Sequence, residues 1–231
     1  MQNIYKLIPW VIAAWLFVML ASLKLGWLDV FFWAAENAQV QGIDYFALPK
    51  SYLNLLEGRS AFDTWGGTPY GPYATWYLGH PAFSVFVMFW FSFFSPWVSY
   101  VLFVVFSLFL LLYSAHHFSN LGTSSSEKVM PYFLLLCAFP VYWMLYVGNM
   151  HAPLVLAMSL LLIAIYEMLY GNDDKSARKK LLAALLISFF SKPIVILMIP
   201  ALLLVKETRN TTFKALGIYA IVSILFIVVP T

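Results

Sequence analysis

Residues 181–204 have the sequence LLAALLISFFSKPIVILMIPALLL, an apolar run interrupted near its middle by Ser191, Lys192 and Pro193. A helix needs about 20 apolar residues to cross the hydrocarbon core of a bilayer, and this run is long enough. Proline removes a backbone donor and restricts the residue before it, so we expect the helix to break here. The stretch therefore predicts either a broken membrane helix or a re-entrant pair of half-helices.

The whole chain is strongly apolar, like this stretch. Of its 231 residues, 63% are hydrophobic and only 10% are charged, against about 45–50% and about 25% in soluble domains. So few polar groups could not cover a water-soluble fold, and no alternating ten-residue pattern predicts a membrane barrel. We therefore expect a single all-α domain, residues 1–231: a polytopic helical bundle, integral to the cell membrane, with about six to eight membrane segments. The apolar stretches lie at about 7–28, 76–94, 98–115, 131–147, 150–170, 181–205 and 215–230.

Charged residues are distributed unevenly along the chain. Five of the ten acidic residues fall within residues 29–80, whereas the loops at 171–180 and 206–214 are basic. By the positive-inside rule those two loops are cytoplasmic and the 29–80 loop is extracytoplasmic. A single membrane crossing between the two basic loops would place them on opposite sides of the membrane. A broken or re-entrant pair around Lys192 would keep both inside.

The 29–80 loop is long for a connector, and long ordered loops are usually functional. Apolar and tyrosine residues recur at helical spacing within residues 44–58, and Gly58 is a plausible stop. This pattern predicts a short amphipathic helix that lies on the membrane surface with its apolar face towards lipid.

Asp44 heads this predicted helix and has two interpretations. It is either the helix cap, a position that Asp favours, or a general base at the water–lipid boundary. Lys50 and Arg59 are either solvated or bind phosphate beside that carboxylate. The charges of residues 41–60 therefore belong either to a solvated loop between membrane helices or to the chemical centre of a membrane enzyme.

Polar residues inside apolar stretches are costly and are functional candidates. Asn149 and His151 lie in a polar break, and Lys192 lies roughly 18 Å along a continuous helix from Lys180, which would place it near the middle of the membrane. Lys192 is therefore either an anion-binding residue or a snorkelling side chain on a short half-helix. His80 lies at the start of a predicted helix.

No spacing of His, Cys and acidic residues is typical of a zinc site. The sequence also lacks a phosphate-binding glycine loop and a nucleophile elbow.

The order of these features resembles a known family. IDYFALPKSYLNLLEG (43–58) is followed by PYGPYATWYLGHP (69–81), GNMH (148–151) and the Lys-Pro of residues 181–204. This series is similar to membrane glycosyltransferases of the C superfamily. It most resembles the polyprenyl-phosphate-mannose-dependent mannosyltransferases, glycosyltransferase family 87. GPY stands where that family usually has Tyr-Pro-Pro, and GNMH replaces Gly-Gln-x-Asn.

The resemblance implies an inverting hexosyltransferase with the C-superfamily fold. It would move a sugar, with mannose implied, from a polyprenyl-phosphate donor to a glycan or glycolipid acceptor at the extracytoplasmic face. Asp44 is then the catalytic base, with Asp29 and Asp63 in reserve. With Lys50, Arg59 and Lys192 as phosphate candidates, we then expect the charges of residues 41–60 to form one site. Substrate-binding side chains are expected at Tyr45, Lys50, Arg59, Tyr70, Tyr73, His80, Asn149, His151 and Lys192.

Other partners and other functions follow from the same residues. We expect contact with membrane lipid, no nucleic acid, no cofactor and, because the 29–80 loop offers no adjacent acidic pair, no metal ion. Glucose, arabinose or another pentose would use similar residues. The alternatives are a transporter or flippase subunit for lipid-linked sugars, and a non-catalytic truncated paralogue. Because enzymes of the resembled family continue through further helices, the resemblance implies either a fragment or an N-terminal part.

Overall fold

The computed structural model describes residues 6–28, 41–63, 69–72, 80–171 and 174–228. Every regular element in these ranges is helical, and no strand occurs among them. The all-α prediction is therefore confirmed. In chain order the helices are α1 (Ile8–Leu25), α2 (Ile43–Leu56), α3 (Pro81–Ser92), α4 (Pro96–Ser119), α5 (Ser125–Leu136), α6 (Phe139–Val147), α7 (His151–Tyr170), α8 (Asp174–Ser191), α9 (Pro193–Leu204) and α10 (Lys206–Val228).

Three of the described helices are long and apolar enough to cross a membrane: α1, α4 and α7. The bent pair α5 and α6, whose axes differ by 47°, adds a fourth if it is one span. These helices support the prediction of a membrane protein. The predicted count of about six to eight segments is not confirmed.

Helices α7 and α8 form an antiparallel pair. Lys180 contacts Glu167 near one end of the pair, and Lys192 contacts His151 at the other. The 20 residues of α7 rise about 30 Å, close to the thickness of the hydrocarbon core. The two contacts therefore mark opposite ends of the bundle.

The chain breaks at Lys192, as the sequence predicts. Helix α8 ends at Ser191, Lys192 is extended with φ −136° and ψ 113°, and 3₁₀ turns begin at Pro193. Lys192 therefore lies level with the first residue of α7. Its predicted position near the middle of a span is wrong, because that prediction treated residues 181–205 as one crossing.

Helix α9 returns the chain to the basic end. Lys175 and Arg178 of α8 line one cleft together with Thr211 and Lys214 of α10. The two basic segments therefore lie side by side at one end of the bundle, the arrangement that a broken pair around Lys192 allows.

Helix α2 is not the surface helix that its pattern predicts. Tyr45, Phe46 and Leu48 are buried, and α2 packs against α3, α4 and α6. The Tyr45 ring lies 4.9 Å from that of Phe103 in α4. The predicted apolar face is only partly the buried one, because Leu56 is exposed while Lys50 and Asn54 are buried. A periodic pattern also does not distinguish a face covered by lipid from one covered by protein.

Candidate functional site

Asp44 is in the first turn of α2, where the helix dipole favours an acidic side chain. It does not cap the helix, because the N-cap is Gly42 and no side chain caps the first turn. Instead Asp44 Oδ2 accepts a hydrogen bond of 2.6 Å from Asn149 Nδ2. This contact joins two residues 105 positions apart, both partly exposed.

Gly148 makes that contact possible. Its φ is +72°, and a Cβ at this position would lie 2.3 Å from the Cβ of Tyr45. Only glycine therefore lets the turn after α6 approach the first turn of α2 this closely. The backbone is fixed alongside, because Gly42 N–H donates to the Tyr146 carbonyl at 2.7 Å.

Lys192 and His151 complete the polar group. The Lys192 ammonium donates to His151 Nε2 at 3.3 Å. Electrostatic interaction joins Asp44 to both of these side chains. Partial burial lowers the pKa of Lys192, which lies between helices, and the Asp44 carboxylate opposes this effect. We call Asp44, Asn149, His151 and Lys192 the polar centre; each comes from a different helix or connection.

The other charges of residues 41–60 do not join the polar centre. Lys50 follows Asp44 by six residues, which on a helix is about 9 Å of rise and a rotation of about 240°. It is 6% exposed. Arg59 instead forms an exposed pair with Glu57, with 3.4 Å between its Nε and the carboxylate. The expectation of one site within residues 41–60 is therefore wrong, because neighbours in sequence point in different directions from a helix.

Two of the predicted substrate-binding tyrosines belong to the core. Tyr45 is fully buried, and its hydroxyl hydrogen-bonds to Ser99. Tyr70 is 7% exposed, and its hydroxyl lies 3.1 Å from the Phe91 carbonyl and 3.0 Å from that of Phe94. Neither side chain presents a free face to a substrate in this structure.

His80 connects two helices outside the polar centre. Its Nδ1 accepts from the Ala82 N–H at 3.0 Å, so Nε2 carries the proton that faces Ser223 Oγ at 3.1 Å. The imidazole also packs against Phe190 and Tyr219. This environment makes His80 a link between the start of α3 and α10.

Of the three remaining predicted residues, the structure describes only Asp63. Tyr73 and Asp29 lie outside the described residues. Asp63 is exposed, and its carbonyl accepts a hydrogen bond from the Asn54 side chain.

An apolar cleft of about 340 Å³ opens beside the polar centre, between α4, α5, α6 and α7. Among the described residues that line it, His151 is the only ionisable one; Leu111, Met144 and Val155 are among the others. A molecule with an apolar chain and a charged head could fill this cleft and meet His151 with its head.

The sequence identified all four members of the polar centre but not their pairing, and it missed the part played by Gly148. The signal available was a glycine directly before a polar residue at a helix end, which is typical of a left-handed turn.

Within the described ranges, no group of three or more His, Cys, Asp or Glu side chains is arranged to hold a metal. The chain matches no protein-family model, and neither the curated proteins nor the solved structures include a match to it.

Proposed function

We propose that the protein is a membrane glycosyltransferase that moves a sugar from a polyprenyl-phosphate donor to a glycan or glycolipid acceptor. The observation that supports this most is the polar centre beside an apolar cleft: a carboxylate, an ammonium and an imidazole meet at the end of a candidate span. The motif order of the sequence supports the same function.

Asp44 acts as the general base. Asn149 holds Oδ2 of its carboxylate, which leaves Oδ1 for the hydroxyl proton of the acceptor. The acceptor oxygen then attacks the anomeric carbon, and the bond from that carbon to the phosphate oxygen breaks. The single displacement inverts the anomeric configuration.

Lys192 and His151 receive the leaving group. The electron pair of the broken bond goes to the lipid phosphate, and a nearby ammonium stabilises the charge that develops there. Asn149 Oδ1 is buried and accepts no hydrogen bond from any described residue. A sugar hydroxyl donating to it would satisfy this oxygen, since an unpaired buried acceptor is costly.

The cleft that reaches His151 takes the first part of the polyprenyl chain. Its apolar lining suits isoprene units, and its position puts the phosphate at the polar centre. The basic segments lie at the opposite end of the bundle, so the positive-inside rule assigns the polar centre to the extracytoplasmic face.

The test is transfer by the purified protein. It is incubated in detergent with radiolabelled polyprenyl-phosphate mannose, glucose or arabinose and an extract of membrane glycolipids and glycans. We expect labelled product with one donor and with inverted configuration at the anomeric carbon. No product and no donor hydrolysis with any of the three donors would contradict the proposal.

A transporter or flippase subunit is the second candidate. The helix break at Lys192, directly beside polar side chains, favours it because broken helices line many transport sites. Protein reconstituted into vesicles with a fluorescent polyprenyl-phosphate sugar in the inner leaflet separates the two functions. A transferase leaves the lipid in its leaflet, whereas a flippase moves it to the outer one without making product.

A further inference from the structure

A second polar region lies at the end of the bundle opposite the polar centre. A cleft of about 470 Å³ lies between the start of α8 and the second turn of α10. Four of its lining residues are the exposed cations Lys175, Arg178, Lys179 and Lys214. We call this the basic cleft.

Positive charge exceeds negative charge in the basic cleft. Among the described residues, Asp174 is the only acidic residue that lines it. Its carboxylate lies 4.0 Å from Arg178, with 72% of the Asp174 side chain exposed, so the pair is well solvated and neutralises only one cation. Of the described lining residues, Lys175, Lys179 and Lys214 are then left to attract an anion.

The surroundings of the basic cleft are typical of a membrane interface. Lys180, one residue after Lys179, contacts Glu167, which is 16 positions along α7 from His151, or about 24 Å. Tyr166 and Tyr170 in the same turns of α7 are exposed, as is typical of aromatic side chains at a membrane interface. Leu182 gives the cleft an apolar side, and exposed Phe213 lies next to Lys214.

We propose that the basic cleft binds the headgroup of an anionic phospholipid. The exposed lysines meet the phosphate, while Leu182 and Phe213 contact the upper acyl chains. A site for free phosphate would surround the ion with buried donors, whereas here the cations are exposed and border apolar surface. Because the positive-inside rule assigns this end to the cytoplasm, the lipid belongs to the inner leaflet, where anionic lipids attract basic residues.

The test measures which lipids stay with the purified full chain. The protein is exchanged into mixed micelles with equal amounts of phosphatidylglycerol and phosphatidylcholine, and the retained lipid is quantified by native mass spectrometry. We expect phosphatidylglycerol to be enriched about fivefold or more, since each basic residue near an anionic surface favours binding by about that factor. Raising the salt to about 0.5 M should reduce the enrichment through screening.

Two triple variants distinguish lipid binding at the basic cleft from an effect of the overall charge of the protein. Lys175→Gln, Lys179→Gln and Lys214→Gln together should abolish the enrichment. Lys6→Gln, Lys24→Gln and Lys128→Gln remove the same charge from exposed positions elsewhere and should preserve it. Circular dichroism and size-exclusion profiles confirm that both variants remain folded.

Three outcomes would overturn the proposal. The first is equal retention of both lipids by the parent protein, and the second is loss of the enrichment to the same extent in both triple variants. The third is displacement of bound phosphatidylglycerol by about 10 mM inorganic phosphate at constant ionic strength, which would indicate a site for the free ion instead.

Discussion

The two ends of the bundle differ in how their polar groups are assembled. At the polar centre, four side chains from four segments form two pairs, one joined by a hydrogen bond of 2.6 Å and the other by one of 3.3 Å. Electrostatic interaction links the two pairs. At the basic cleft, exposed cations come mainly from one run of sequence, and Arg178 and Asp174 are 4.0 Å apart. The polar centre therefore depends on tertiary packing, whereas the basic cleft depends mainly on the residue composition of one segment. Substitutions should affect the two ends differently.

The largest effect is expected from Asp44→Asn. The amide cannot accept the acceptor's proton, so transfer should fall by about 10²–10⁴-fold, the usual contribution of a general base. Transfer is measured with the labelled donor, and the melting temperature should stay near that of the parent. Asp63→Asn, in an exposed residue of the same loop, is the matched control. Activity of the Asp44 variant within a few-fold of the parent would contradict its assignment.

Lys192→Met tests the other half of the polar centre. Loss of the ammonium should raise the donor KM or lower turnover about tenfold or more, because a charge-assisted contact to phosphate is lost. Folding should be preserved or improved, since a partly buried charge is removed. Initial transfer rates measured over a range of donor concentrations give the KM and the turnover of the variant and of the parent. Unchanged donor kinetics would make Lys192 a structural residue.

Gly148→Ala tests whether close approach of the backbone assembles the polar centre. A left-handed alanine costs about 1–2 kcal/mol by itself, and its Cβ would overlap that of Tyr45. We expect a lower melting temperature and a loss of transfer larger than stability alone explains. Gly217→Ala is the control, because nothing lies within 4 Å of its Cβ; it should leave transfer unchanged. Equal melting temperatures and equal transfer rates in the two variants would show that the polar centre does not need the close approach of Gly148 to Tyr45.

At the opposite end, Glu167→Gln should affect stability alone. The Glu167 and Lys180 side chains are 25% and 22% exposed, so losing the charge should cost about 1 kcal/mol. Thermal unfolding measures this change, and transfer per folded molecule should equal that of the parent. A clear fall in the transfer rate would show that the two ends are coupled.

The smallest expected effect is that of metal removal. Asp44 supplies the base and Lys192 the positive charge in the proposed reaction, so EDTA should leave transfer unchanged. Loss of activity restored by Mg²⁺ or Mn²⁺ would overturn the prediction of metal independence.

The sequence predicted much of the architecture. Hydrophobic run length predicts helices such as α4 and α7, and Pro193 predicts the break that ends α8, because both signals are local. The charge asymmetry likewise predicts the basic end, since a run such as Lys175–Lys180 carries its charge wherever the chain folds. Asp44, Asn149, His151 and Lys192 were identified by their rarity in apolar surroundings.

Only the tertiary structure decided which of these residues meet. Lys50 is six residues from Asp44 but on another face of α2, whereas Asn149 is 105 positions away and in contact with it. Tertiary packing also buried Tyr45 in the protein and placed Lys192 at the end of a span, beside His151. The physical reason is that helical period and residue type depend on the local chain, whereas contacts between helices depend on packing. Here that packing includes an approach that only the missing side chain of Gly148 permits.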